Sequence, residues 1–146
     1  MPDEQRLLDL IATSRQGTLA AVTRAGYPHL TNVLYVWDSE ERIARVSTTA
    51  DRVKARLLRH DPHAALHVAG QHFWSYAVGE CDAEMSEVAR TAGDAVCQEL
   101  LAMARSIRGD VDEAESFKRM VDEQRLVVRL RLRRLYGVTL DEPPGR

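Results

Sequence analysis

Between Arg42 and Pro62 the chain reads RIARVSTTADRVKARLLRHDP. An apolar run, Ile43 to Val46, gives way to three hydroxyls, Ser47, Thr48 and Thr49, and then to a basic stretch with Arg52, Lys54, Arg56 and Arg59. Those residue types suit an anion. The first N–H groups of a helix have no internal partner, and the helix dipole favours negative charge there. Hydroxyls donate to phosphate oxygens, and arginine presents a rigid fork. The spacing therefore predicts a strand, a hydroxyl-bearing link and a basic helix that together hold one end of a phosphorylated ligand. The same residues also allow a plainer arrangement. Val53, Leu57 and Leu58 fit the buried stripe of an amphipathic helix, with its basic face in water and Asp51 as a local cap.

Other residue types in the chain also bear on chemistry. His63 and His67 would share a strand face about 13 Å apart, too far to hold one ion, and no acid or thiol has matching spacing, so no metal site is predicted. Cys81 and Cys97 form no CxxC pair and read as free buried thiols. In the segment VVRLRLRRLYG, Val128, Leu130 and Leu132 alternate with Arg129, Arg131 and Arg133. That is a half-buried strand whose basic face meets acids on the helices, or adds to the anion site or a subunit contact. Trp74 and Tyr76 would share a strand face and could cover a planar ring, although most such aromatics are core. Asn32, between Leu30 and Leu34, either satisfies a nearby backbone group or reads the edge of a heterocycle. No GxSxG, P-loop or HExxH is present, so an enzyme of this sequence would borrow a cofactor for the hard chemistry.

The elements that must position these groups follow from periodicity and turn residues. A helix is predicted over 3–14, then strands over 17–24, 29–37 and 42–47. The turns at 25–28 and 38–41 are short enough to make an antiparallel meander. A helix over 49–60 ends at Asp61-Pro62. Strands over 64–69 and 73–81 follow, then a helical insertion over 83–123 divided near Gly109 and Asp110, then a last strand over 126–136 and a Pro/Gly tail. The outcome is mainly β with flanking helices (α+β), a six-stranded antiparallel barrel in a single domain spanning 1–146. The missing strand–helix alternation and the missing GxGxxG disfavour a doubly wound dinucleotide fold.

With 146 residues, 45% hydrophobic and 29% charged, and a net charge of −2, the composition is that of an ordinary soluble domain. No global field draws it to nucleic acid or an anionic membrane, and interleaved aromatics for stacking bases are missing. No apolar run reaches the roughly 20 residues of a membrane helix, and the acidic amphipathic start is no secretory signal, so a cytoplasmic location is expected.

The segments GTLAAVTRAGYPHLTNVLYVWD, RIARVSTTADRVKARLLRHDPHAALHVAG and FWSYAVGECDAEM, with LYG at 135–137, resemble the split-barrel flavin-binding proteins related to pyridoxamine 5′-phosphate oxidase. The likeness runs from about Leu7 to Gly137 and is greatest to the actinobacterial branch that uses the deazaflavin coenzyme F-420. It implies a homodimer with two sites at the subunit seam. It also implies an oxidoreductase that passes hydride from reduced F-420 to an electron-poor acceptor such as an enone, a quinone or a tetrapyrrole-like molecule. FMN on the same barrel, or a non-catalytic cofactor-binding protein, are the alternatives. By the same resemblance Asn32, Val33, Leu34 and Tyr35 match the strand against the ring. Ser47, Thr48 and Thr49 match the loop beside the ribityl chain and phosphate. Arg52, Lys54 and Arg56 match the basic residues on the phosphate or acidic tail. Trp74 and Tyr76 match the aromatic segment that the other subunit brings over the site. No obligatory acid stands out; Tyr35 or a water is the candidate proton donor. One departure is Leu57, where relatives often carry Asn.

Overall fold

The computed structural model describes residues 4–140. Asp3 and the Pro/Gly tail lie outside the described residues. The first helix, α1, spans Glu4–Thr13 and buries Leu7 and Ile11, four residues apart on one face. The strands β1 (Gln16–Val22) and β2 (Pro28–Leu34) form a hairpin whose turn places Gly26 at φ 88°, a conformation glycine adopts without a Cβ penalty. Next come β3 (Val36–Asp38) and β4 (Ile43–Thr49), then α2 (Val53–His60), β5 (His63–Ala69) and β6 (Tyr76–Met85). The helices α3 (Ala95–Arg108) and α4 (Glu113–Asp122) precede β7 (Arg125–Val138).

All seven strands join one antiparallel sheet in the order β2-β1-β5-β6-β7-β4-β3. Its two outer strands, β2 and β3, are consecutive in sequence and separated only by Tyr35. A flat sheet of seven strands would hold those edges about 29 Å apart, six spacings of about 4.8 Å. One residue cannot span that distance, so the sheet curls until its edges meet. The expected single strand over 29–37 is thus two strands, and the count is seven rather than six. The break has a physical cause. Tyr35 N donates to Arg15 O (2.9 Å), and its hydroxyl donates to Ile11 O in α1 (2.5 Å), so the residue is pulled into the core between two ladders.

The barrel interior is filled by Leu19, Val46, Leu66, Val68, Leu126, Val128 and Leu130, closed at one side by Leu7 and Ile11 of α1 and Leu58 of α2. A second cluster lies on the other face of β7. There Val127 meets Cys97, Leu100, Leu101, Phe117 and Met120 of α3 and α4. The long strand β7 therefore has apolar partners on both faces at its start, which its alternating pattern further on does not reveal. The N-cap of α3 is Asp94, which accepts from Cys97 N at 2.9 Å and also from Arg90 N and Thr91 N. Those three donors hold its carboxyl down to about 2. Gly109, at φ 78°, ends the helix, where the sequence placed the division.

The arginines of β7 meet acids. Glu99 of α3 is gripped by Arg129 (Nη2–Oε1 2.5 Å, Nε–Oε2 2.9 Å) and by Arg45 of β4 (2.9 Å). Arg131 reaches Glu84 (3.6 Å), and Arg133 binds Asp82 at 2.6 Å. The hydrogen bonds from Arg129, before those from Arg45, hold the Glu99 carboxyl below its usual range. These arginines are spent on fixing the insertion and the neighbouring strand, and Arg129, Arg131 and Arg133 do not line the cavity between the barrel and the insertion.

Candidate functional site: a cationic cavity between barrel and insertion

A cavity of about 330 Å³ lies where the end of β2, the middle of β4 and the start of β7 meet α3 and α4. Asn32, Val33 and Leu34 contribute from β2 and Ser47 from β4. Lys54 enters from the first turn of α2, and Arg125 from the first position of β7. The insertion supplies Arg108, Arg119, Met103, Met120 and Glu123. Four cationic side chains thus face one carboxylate.

That carboxylate is shared already: Glu123 Oε1 accepts from Arg125 Nε at 3.4 Å. Arg125 Nη1 donates to Ser47 Oγ at 3.1 Å, tying the hydroxyl predicted from sequence to a base that sequence reasoning missed. Lys54 is half-buried, and among the described residues no carboxylate forms an ion pair with it. Burial, then the neighbouring Arg52 and Arg125, push its ammonium below the usual lysine range. A half-buried cation beside other cations is costly alone and favourable around an anion. These residues fit an anionic group.

The predicted site residues divide. Asn32, Val33, Leu34, Ser47 and Lys54 come together around the cavity. Thr48 does not: strand alternation turns it inward, where it is only 3% exposed. Thr49 donates its hydroxyl to Asp51 Oδ1 (2.6 Å) and lies off the cavity. That bond, with lesser help from Arg52 and Arg56, holds the Asp51 carboxyl below its usual range. Asp51 is therefore engaged before the helix. The N-cap position falls to Arg52, which makes no side-chain capping bond. Arg52 and Arg56 are exposed and do not line the cavity, because the helix starts at Val53 rather than Thr49 and turns them outward. Leu57 packs against the barrel core, so apolar contact replaces whatever a polar residue would offer there.

Tyr35, the candidate proton donor, does not line the cavity. It is fully buried, its hydroxyl is committed to Ile11 O, and burial pushes its phenol well above the ordinary range. Trp74 is corrected as a strand neighbour of Tyr76: it sits with Phe73 in the β5–β6 turn, the two rings edge to face at 4.8 Å. Neither Trp74 nor Tyr76 lines the cavity within one chain. Asn32 is exposed and accepts from Thr18 Oγ1 at 3.2 Å, so its amide nitrogen is still available to a ligand. Arg125, Arg108 and Arg119 were missed because the antiparallel pairing of β4 with β7 brings the first to Ser47 across the sheet, and α3–α4 packing brings the others. No local pattern encodes either.

Comparison with known proteins gives the same architecture. Rv2991, a conserved hypothetical protein from Mycobacterium tuberculosis, superposes with a TM-score of 0.68 at 26% identity over 92% of this chain and 83% of its own. A protein named an F420 reductase gives 0.66 at 21% identity, covering 88% of this chain and 94% of its own, a likeness of fold. A heme binding protein from Mycobacterium smegmatis gives 0.63 at 25% identity over 94% of this chain and 55% of its own. The pyridoxamine 5′-phosphate oxidase family matches residues 3–139, from the first helix through β7. By fold and by sequence, the chain belongs to that family.

Proposed function

We propose that the chain is an oxidoreductase that binds coenzyme F-420 and passes hydride from it to an electron-poor acceptor. The observation that carries this reading is the set of cations around Lys54, which has Asn32 to Leu34 on one wall and, among the described residues, no paired carboxylate at the lysine. The bound deazaflavin supplies the two-electron chemistry. Lys54, Arg125 and Ser47 hold its anionic end, and Asn32 offers its amide to the ring edge. Met103, Met120 and Leu34 exclude water from the cavity. The family membership and the F420 reductase neighbour support the choice of cofactor. FMN, whose phosphate would use the same cations, is the alternative.

The functional unit in this reading is a homodimer. Leu30 and Leu34, on the face of β2 that carries Asn32, are 64% and 50% exposed, and Phe73 and Trp74 are 87% and 58% exposed. Apolar surface of that kind favours a partner beside the site. A carrier that binds cofactor without turnover is the second reading, favoured by the burial of Tyr35, which leaves the cavity without a phenol. Fluorescence titration with F-420, FMN and haem, followed by hydride transfer from the reduced cofactor to an enone or quinone panel, separates these readings. Failure of both F-420 and FMN to bind refutes the proposal.

A further inference from the structure

Beside the cation-lined cavity lies a wider groove of about 870 Å³. Asn32, Val33, Leu34 and Ile107 border both. The groove adds Ser14, Arg15, Gln16, Thr18 and His67, and among the described residues no aspartate or glutamate lines it. Strand register orders these groups. Thr18 of β1 lies opposite Asn32 of β2 and also opposite His67 of β5. Directly opposed residues share a face, so Asn32, Thr18 and His67 form one row, with His67 two interstrand spacings, about 10 Å, from Asn32. The imidazole is exposed and stacked on Tyr76, centroids 5.6 Å apart and planes 13° from parallel, so its plane is fixed. Arg15 spends one N–H on Ile107 O (3.3 Å) and pairs with no carboxylate among the described residues. The groups facing His67 from the flanking strands are Gln16 and Thr18 on β1, and Tyr76 and Glu80 diagonally across on β6. The Glu80 carboxylate is taken by Arg134 at 3.2 Å.

A surface of N–H and O–H donors without a carboxylate selects ligands rich in acceptor oxygens. We propose that this groove seats the acceptor as a carbonyl-bearing conjugated molecule, with Arg15 and His67 as its donors, and that His67 is its proton source. The inference rests on the hydride-transfer reading above. Hydride from the reduced cofactor adds to the electron-poor carbon, and the π pair moves onto the carbonyl oxygen. The imidazolium N–H then gives its proton to that enolate. The acceptor gains a hydride and a proton, in sum two electrons and two protons, the cofactor is oxidised by loss of the hydride, and the neutral imidazole is reprotonated from water.

The test uses the full chain with menadione as acceptor and 2-methylnaphthalene as the same skeleton without carbonyls. In the histidine C2–H spectrum, menadione shifts the His67 resonance, assigned by its loss in His67→Gln, and 2-methylnaphthalene does not. With F-420 present, His67→Gln binds cofactor within about twofold of wild type but loses about 100-fold in kcat, as removal of a general acid does. It also loses the alkaline limb of the pH–rate profile. His63→Gln, outside the groove, changes neither. A His67 resonance unmoved by menadione, or a His67→Gln enzyme with unchanged kcat and pH profile, overturns the assignment. Wild-type protein that fails to bind F-420 strikes the parent reading instead, and the menadione shift on cofactor-free protein still reads the groove by itself.

Discussion

Replacing Lys54 with methionine separates ligand binding from folding, because the structure gives the ammonium opposite signs in the two. In the free protein Lys54 is half-buried beside Arg52 and Arg125, and its charged form is disfavoured. A lysine whose folded pKa is depressed makes folding less favourable at neutral pH. The penalty is fully present below the folded pKa and fades as pH rises toward the unfolded value, since there the unfolded chain holds more protons than the folded one. Methionine keeps the stem and removes the charge, so Lys54→Met is as stable as wild type at pH 7 or melts a few degrees higher. Binding goes the other way. A charge-assisted hydrogen bond to an anionic oxygen contributes about 1.5–3 kcal/mol, which is roughly 12- to 140-fold in Kd. Arg125 remains in place, so the lower half of that range is expected. Fluorescence titration with F-420 and with FMN measures the loss. Thermal melts with added inorganic phosphate give an independent reading, with a smaller rise in Tm for the variant. Unchanged affinity for both cofactors, together with an unchanged phosphate response, would refute the anion site.

Tyr35→Phe loses the buried bond to Ile11 O and about 1 kcal/mol of stability, seen in denaturant titration, while hydride transfer is retained; a large fall in kcat at full cofactor occupancy would restore the phenol to the chemistry. Glu99→Gln leaves Arg45 and Arg129 without their shared carboxylate. Because all three are partly exposed, about 1–3 kcal/mol is expected, with faster hydrogen exchange in α3. The Glu99 carboxyl is held below its usual range, so its contribution is present at neutral pH and is lost as pH falls through the folded value; the variant shows a shallower acid limb of stability. Gly137→Ala meets a direct obstacle, since a Cβ there would lie 2.2 Å from Tyr76 O at φ 149°; a loss of about 2–4 kcal/mol is expected, and a wild-type melting curve would contradict the β6–β7 packing.

Local chemistry written in the chain was legible where one element decides it. Gly26 marked the first turn, Gly109 the end of α3, and Asp61-Pro62 the end of α2. The sheet's composition was also legible, strand by strand, from period-2 patterning. What escaped depended on elements distant in sequence. Tyr35 looked like one more residue in a long strand because its bend is imposed by Ile11 and Arg15. The 73–81 strand was placed three residues early, because aromatic content marked Phe73 and Trp74 as strand residues although they occupy the turn. The site divides the same way. Ser47 and Lys54 were visible in one short stretch, whereas Arg125, Arg108 and Arg119 join them only through sheet pairing and helix packing.

The hydrogen bond between Ser47 and Arg125 joins positions 78 apart in the chain. During synthesis, the hydroxyl segment emerges from the ribosome well before the strand that completes the pocket. A nascent chain ending short of Arg125 lacks one of the four cations that line the cavity. Such long-range closure also slows folding relative to helical domains of equal length, so the cationic cavity forms on the timescale of the whole sheet rather than of a single hairpin.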